Sequence, residues 1–310
     1  ISLVWYNVRF PKYNINSTYR LELLNKKLVK KFLGKRGVDF VRSIKDAHPK
    51  KMSISKHGKH FTVDSTKIRS YKFWKGYVHG GWEDGTFKIF DKFLDKNHSY
   101  IDIGSYIGPT VLYGSQLAKH CFAIEPDPIA FQELKNNIEL NDHLKSHITL
   151  SKYCITDSIG VSKLFTTGKL EDGGGSGSTL FPDLDDGLVN KDQMNFWEVQ
   201  TITIQQFIQS LSITDCNFIK IDIEGAEFDL IPSMSDYLKN QKPTLLIEIH
   251  LTFVKDPMKK LEIMFQTLDV YDHIYDVDLL KKIDKNGLFN IAHSHEIIHI
   301  LLTDIEIPHF

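Results

Sequence analysis

Three stretches combine acidic, glycine and histidine residues at spacings that could do chemistry: Asp102–Gly108 with Glu125 downstream, Asp222–Glu227, and Glu248–His250. Each follows a short apolar run that reads as a buried strand. In open α/β sheets, ligands bind beyond the carboxyl ends of the strands, near the point where strand order reverses. That rule gathers the three stretches into one candidate site.

The first stretch reads IDIGSYIG. Gly104 and Gly108 allow a tight turn, so a ligand can approach the backbone and the start of the following helix. Glu125 lies 21 residues beyond Gly104, at the tip of the next strand. A carboxylate there can accept hydrogen bonds from both hydroxyls of an adenosine ribose, so the pair points to a nucleoside-containing cofactor. A dinucleotide site wants Gly-x-Gly-x-x-Gly, whose middle glycine admits a pyrophosphate. Here Tyr106 stands at the middle position, which favours S-adenosylmethionine over NAD.

The elements that must position these residues follow an alternating pattern. Strands are expected at Tyr100–Ile103, Cys121–Ile124, Ile148–Ile155, Phe218–Ile223 and Thr244–Ile249, with a closing strand at Ile297–Leu302. Pro109 suits the first turn of a helix running to about Lys119. Asp127 can cap a helix that begins at Pro128 and ends near Leu140. A helix is also expected over 257–268. This alternation predicts a parallel sheet with helices on both faces.

Before it, residues 1–75 hold 19 Lys and Arg against 4 Asp and Glu, while the remainder holds 19 against 35. The basic front reads as an accessory segment, with a helix over 17–33 and a hairpin over 52–63 turning at His57-Gly58. Residues 76–310 read as the catalytic domain. The charge split suggests an anionic partner for the front, or docking on the acidic remainder. The glycine tract 173–177 reads as a loop.

No apolar run approaches the length of a membrane span, and the opening residues do not form a signal peptide, so a cytoplasmic protein is expected. The chain opens on Ile1, as a piece of a longer chain would. Cys121, Cys154 and Cys216 lack metal-binding spacing and read as buried free thiols.

The blocks YIDIGSYIG, FAIEPDPIAFQELKNNIELN, FIKIDIEGAEFDLI and LLIEIH resemble, in order and spacing, the FkbM-type methyltransferases over roughly Trp82 to His250. The resemblance implies a Rossmann-like class I methyltransferase fold, with a mostly parallel seven-stranded sheet, and methyl transfer from S-adenosylmethionine to an oxygen. It implies a hydroxyl of a sugar, a glycan or a glycosylated metabolite as acceptor. By the same likeness Asp102, Gly104, Ser105, Gly108 and Glu125 would hold the cofactor, with Tyr106 and Pro126 beside them. Asp222 and Glu224 would border the reacting centre, and Glu83 would approach the amino-acid end of the cofactor. One departure is Thr203-Ile204-Gln205, where the family often has a carboxylate.

An alcohol acceptor must lose a proton during attack, so a base is useful. His250 is the first candidate, because neutral imidazole can take a proton near pH 7. Asp222 is the second. No metal is expected. If Mg²⁺ were bound, Asp222, Glu248 and His250 would be its ligands, with Glu224 beside them. His293, His295 and His299 read as surface or packing residues.

Two other functions compete. A NAD-dependent nucleotide-sugar oxidoreductase would need a third glycine and a Tyr-x-x-x-Lys pair, and the sequence has neither in place. A nucleic-acid methyltransferase could use the basic front to grip phosphates. Amino-directed enzymes of that kind carry an Asn/Asp-Pro-Pro-Tyr/Phe block, and Asp222-Ile223-Glu224-Gly225 stands there instead.

Overall fold

The computed structural model describes residues 48–79, 81–166, 178–180 and 195–308. The helix expected over 17–33 and the glycine tract 173–177 lie outside the described residues. The described residues divide into two compact units, one holding 48–52 and 64–82, the other holding 53–63 and those from 83 onwards.

Strands β1 (Lys51–Lys56) and β2 (Lys59–Asp64) pair in the expected hairpin. Its turn residues His57 and Gly58 have φ of 44° and 76°, the left-handed pair that a two-residue hairpin turn requires. In the first unit, helix α1 (Ile68–His79) buries Trp74 and Tyr77, whose rings stand 5.4 Å apart. Trp82 packs at 5.3 Å from Phe73.

The second unit opens with α2 (Asp84–Phe93), β3 (Ser99–Ile103), α3 (Pro109–Gly114), β4 (His120–Ile124), α4 (Pro128–Glu139) and the short α5 (Asp142–Lys145). It continues through β5 (Ile148–Ser151), β6 (Cys154–Ile155), β7 (Gly160–Thr166), β8 (Asn195–Ile202), α6 (Ile204–Ser210) and β9 (Cys216–Ile221). Then come α7 (Glu227–Ser233), α8 (Ser235–Gln241), β10 (Thr244–His250), α9 (Pro257–Leu268), β11 (His273–Asp276), β12 (Lys281–Ile283), α10 (Lys285–Ala292) and β13 (Ile297–Thr303).

The main sheet runs β12-β11-β13-β10-β9-β3-β4-β5. Strands β10, β9, β3, β4 and β5 are parallel, and β13 is antiparallel to both β10 and β11. This is the class I methyltransferase order, with the three-residue β12 as an eighth strand beyond the seven expected. Strand order reverses between β3 and β9, so the crevice at their carboxyl ends is where a ligand belongs. All five residues of β3 are buried, as a central strand covered on both faces requires. Ile101, Ile103, Ile219, Ile221, Leu245 and Ile247 belong to the main core, each stabilising the fold by about 1.5–3 kcal/mol.

Local signals located α4 and α9 well. The Asp127 carboxylate accepts from the Ile129 and Ala130 N–H groups, and Pro128 occupies the first turn. The expected single strand over 148–155 is instead two strands in different sheets. It breaks at the exposed Lys152 and Tyr153, after which β6 joins β8 and β7 in a three-stranded sheet. Helix α3 ends at Gly114 rather than near Lys119, and the chain then tightens into short turns in which the Gln116 and Leu117 N–H groups donate three residues back, to the Tyr113 and Gly114 carbonyls. The thiols of Cys121, Cys154 and Cys216 are free, as expected. Among the described residues, no helix is long and apolar enough to cross a membrane.

Candidate functional site

The turn after β3 is held in a left-handed path, with φ of 84° at Gly104, 48° at Tyr106 and 98° at Gly108. A Cβ at Gly104 would stand 1.7 Å from the Asp222 carbonyl oxygen, and one at Gly108 would stand 2.7 Å from Leu134 Cδ1. The first glycine therefore lets the ends of β3 and β9 touch, and the second lets the turn pack on α4.

Ser105 is fully buried, and its hydroxyl is used inside the protein. It donates to the Asp102 carbonyl at 2.9 Å and accepts from the Ile124 N–H at 3.0 Å. Ser105 thus ties β3 to β4. Glu125 is fixed by the same loop. One carboxylate oxygen accepts from the Tyr106 N–H at 2.7 Å and the other from the Asp127 N–H at 2.8 Å. Burial pushes the Glu125 carboxyl up to about 8, against the lowering effect of those two amides. Each oxygen keeps a lone pair, so a ribose diol can still be bound bidentately.

The second half of the site lies at the ends of β9 and β10. His250 is buried, and its Nδ1 lies 3.1 Å from Glu227 Oε1. Glu227 is itself fully buried, and its two oxygens also accept from the Ile223 and Gly225 N–H groups, both at 2.9 Å. The other imidazole nitrogen, Nε2, faces Glu224 at 3.4 Å, Glu248 at 3.5 Å and Asp222 at 3.9 Å. Lys220, buried beneath them, lies 3.1 Å from Asp222 Oδ2 and 3.7 Å from Asp102 Oδ1. Asp102 itself is fully buried.

Carboxylates therefore outnumber cations in a shielded place, and proton affinities move accordingly. Burial raises Glu224 to about 8, with Asp222 and Glu248 adding to the rise and His250 opposing it. Burial followed by Glu248 raises Glu83 to about 8. Burial would lower His250, but Glu227, Glu224 and Asp222 raise it to about 10. The surrounding carboxylates thus favour the protonated imidazole, whereas the sequence pointed to a neutral one.

The structure brings Asp222, Glu224, Glu248 and His250 together. Glu83, at the start of α2, feels the charges of Glu248, His299 and Asp222. Two residues of the cluster were given no role of their own at the site in the sequence reading. One is Glu227, which orients His250. The other is His299, which sits opposite Glu248 in the antiparallel β10–β13 register, with Nε2 3.1 Å from Glu248 Oε1 and Nδ1 3.1 Å from Asp278. His293 and His295 are exposed, as expected.

The donor set suits S-adenosylmethionine. Glu125 is preset for a diol, the turn from Gly104 to Gly108 leaves no glycine for a pyrophosphate, and the acidic surroundings match the cofactor's sulfonium and ammonium charges. Comparison with known proteins agrees at the level of family. The methyltransferase FkbM domain matches residues 102–277, more than half of the chain. The methyltransferase FkbM of Methylobacillus flagellatus KT is similar in structure, with 16% identity, a TM-score of 0.42 and cover of 67% of this chain. The present chain spans only 44% of that protein. TYW2 of M. jannaschii, solved with AdoMet, has 12% identity and a TM-score of 0.36, with cover of 83% of this chain and 85% of that one. An rRNA methylase of Streptococcus thermophilus has 8% identity and a TM-score of 0.39, with cover of 71% and 95%. No curated protein is significantly similar in sequence. By the span of the domain match, with the strand order and crevice beneath it, the chain belongs to the FkbM family of S-adenosylmethionine-dependent methyltransferases.

Proposed function

We propose that this methyltransferase acts on a hydroxyl of a sugar, a glycan or a glycosylated metabolite. The observation that supports this reading is the convergence of Asp222, Glu224 and Glu248 on His250 at the reversal of strand order. When bound, S-adenosylmethionine supplies a methyl group already activated on sulfur, so no protein nucleophile is required. The protein must position an oxygen in line and accommodate its proton. Oxygens that accept hydrogen bonds suit a polyol acceptor, and a carboxylate of the Asp222–Glu224 pair takes the hydroxyl proton better than a protonated His250.

Glu125 would hold the ribose, aided by the backbone at Tyr106 and Pro126, while Asp102, Ser105 and the two glycines shape the wall behind it. Glu83 would face the cofactor's amino-acid end. The basic front, residues 1–75, would meet an anionic group on the acceptor or a partner. A nucleic-acid acceptor is the alternative the front allows, and binding that falls steeply with salt would favour it.

The test is transfer of a labelled methyl group to a panel of mono- and oligosaccharides, with tRNA and rRNA fragments alongside. Labelling of a saccharide, lost on periodate cleavage of its diols before reaction, supports the reading. Labelling of RNA alone overturns it.

A further inference from the structure

We infer that the cluster at the ends of β9 and β10 is a divalent-metal site, with Asp222, Glu224 and His250 as its ligands; the role given to the metal rests on the function proposed above, but the site itself does not. Ligand atoms of these three residues all lie within 4.8 Å of one another. On an octahedral ion with bonds of about 2.1 Å, neighbouring ligands stand about 3 Å apart and opposite ones about 4.2 Å apart. The 3.4 Å between His250 Nε2 and Glu224 Oε2, and the 3.9 Å to Asp222 Oδ1, fall within that span.

The histidine supplies an observation independent of the acidic residues. Its side chain is only 3% exposed, and its Nδ1 is taken by the fully buried Glu227. Its Nε2 is aimed between the carboxylates, 3.4 Å from Glu224, 3.5 Å from Glu248 and 3.9 Å from Asp222, and a metal bound there would take the place of its proton. A buried carboxylate on one imidazole nitrogen, with the other nitrogen directed at oxygen ligands, is how metal-binding histidines are oriented. Asp222 is divided in the same sense: Oδ2 contacts Lys220, and Oδ1 faces the histidine.

Glu248, one of the three ligands named from the sequence for the case that a metal is bound, is the weaker candidate of the acidic group. Its Oε1 is 3.1 Å from His299 Nε2, so it is already matched by a cation across the β10–β13 register. One nitrogen and two carboxylates favour Mn²⁺, Fe²⁺ or Zn²⁺ over Ca²⁺ and Mg²⁺, which prefer all-oxygen sets. Three protein ligands leave positions open, where a metal could polarise an acceptor hydroxyl.

The test uses the full chain, stripped with a chelator and titrated with Mn²⁺ alone. Free Mn²⁺ is followed by electron paramagnetic resonance, and nitrogen ligation by pulsed spectroscopy. One saturable site per chain with histidine-nitrogen coupling is expected. Glu227→Gln should weaken it by about 10–100-fold through the misoriented imidazole. His250→Gln should abolish the nitrogen coupling, and Glu224→Gln should weaken binding in a variant that leaves the histidine in place. Thermal melting identifies any variant that fails to fold. Absence of saturable Mn²⁺ binding to the wild type, or saturable binding without nitrogen coupling, overturns the site. S-adenosylhomocysteine binding is measured separately. Its loss would count against the cofactor reading, whereas Mn²⁺ binding alone decides the metal site.

Discussion

Substitution of Gly104 by alanine probes the contact on which the crevice is built. The new Cβ would lie 1.7 Å from the Asp222 carbonyl oxygen, 1.3 Å inside the 3.0 Å at which something must shift, and the atom it meets is backbone. Neither strand can yield easily, because β3 and β9 are paired from Tyr100 through Ile103 and the Asp222 N–H is bonded to the Ile103 carbonyl at 3.0 Å. The left-handed φ of 84° adds about 1–2 kcal/mol for a residue with a side chain. Forcing the strand ends apart adds about 1–3 kcal/mol or more. A total of roughly 2–5 kcal/mol should lower the melting temperature by on the order of 10 °C. It should also weaken S-adenosylhomocysteine, since the turn carrying the Tyr106 amide moves with Gly104. Thermal unfolding followed by circular dichroism, with calorimetric titration of the folded variant, measures both. A variant that melts with the wild type and binds with wild-type affinity would refute the reasoning that this glycine joins the two strand ends.

Other substitutions separate the two halves of the site. Glu125→Ala removes the acceptor expected for the ribose diol, and hydrogen bonds to a charged group are worth about 1.5–3 kcal/mol each, so calorimetry should show at least a tenfold loss of S-adenosylhomocysteine affinity. The same carboxyl predicts a pH dependence. Burial raises it from 4.5 to about 8, so the folded state binds the extra proton. Its contribution to stability is full below pH 4.5 and is lost as pH rises towards 8. Over that window the melting temperature of Glu125→Gln should fall less than that of the wild type, and equal slopes would remove this assignment. Ligand hydroxyls favour the ionised carboxylate, so binding near pH 7 should release a proton, which titrations in buffers of different ionisation enthalpy detect. Finally, His250→Ala removes the cation on which Asp222, Glu224 and Glu248 converge, so it should lower methyl transfer while leaving S-adenosylhomocysteine affinity near wild type. Unchanged turnover would take the histidine out of the reacting centre.

The parts of this molecule set by local chemistry were legible in its sequence. The continuous burial of β3, the Asp127-Pro128 start of α4 and the placement of Glu125 follow from neighbouring residues, and the structure has them where expected. The convergence of Asp222, Glu224, Glu248 and His250 also followed, because parallel strands all present their carboxyl ends at one edge. What depended on pairing between distant segments was not legible. His299 reaches Glu248 through an antiparallel register that no local pattern encodes. Strand β6 leaves the main sheet for β8, more than 40 residues downstream. The hold of Glu227 on His250 requires α7 to begin where the loop after β9 ends. With it came the proton affinity of the histidine, which depends on three carboxylates of the 222–227 stretch and not on the imidazole alone.

The central claim is that the crevice at the ends of β3, β4, β9 and β10 is built for S-adenosylmethionine. Calorimetric titration of the purified chain with S-adenosylhomocysteine, with NAD as the parallel ligand and Glu125→Ala as the site control, tests it most directly. Saturable binding of S-adenosylhomocysteine, weakened in the variant and absent for NAD, is the predicted result. Binding of NAD alone, or binding of S-adenosylhomocysteine that Glu125→Ala leaves intact, would contradict it.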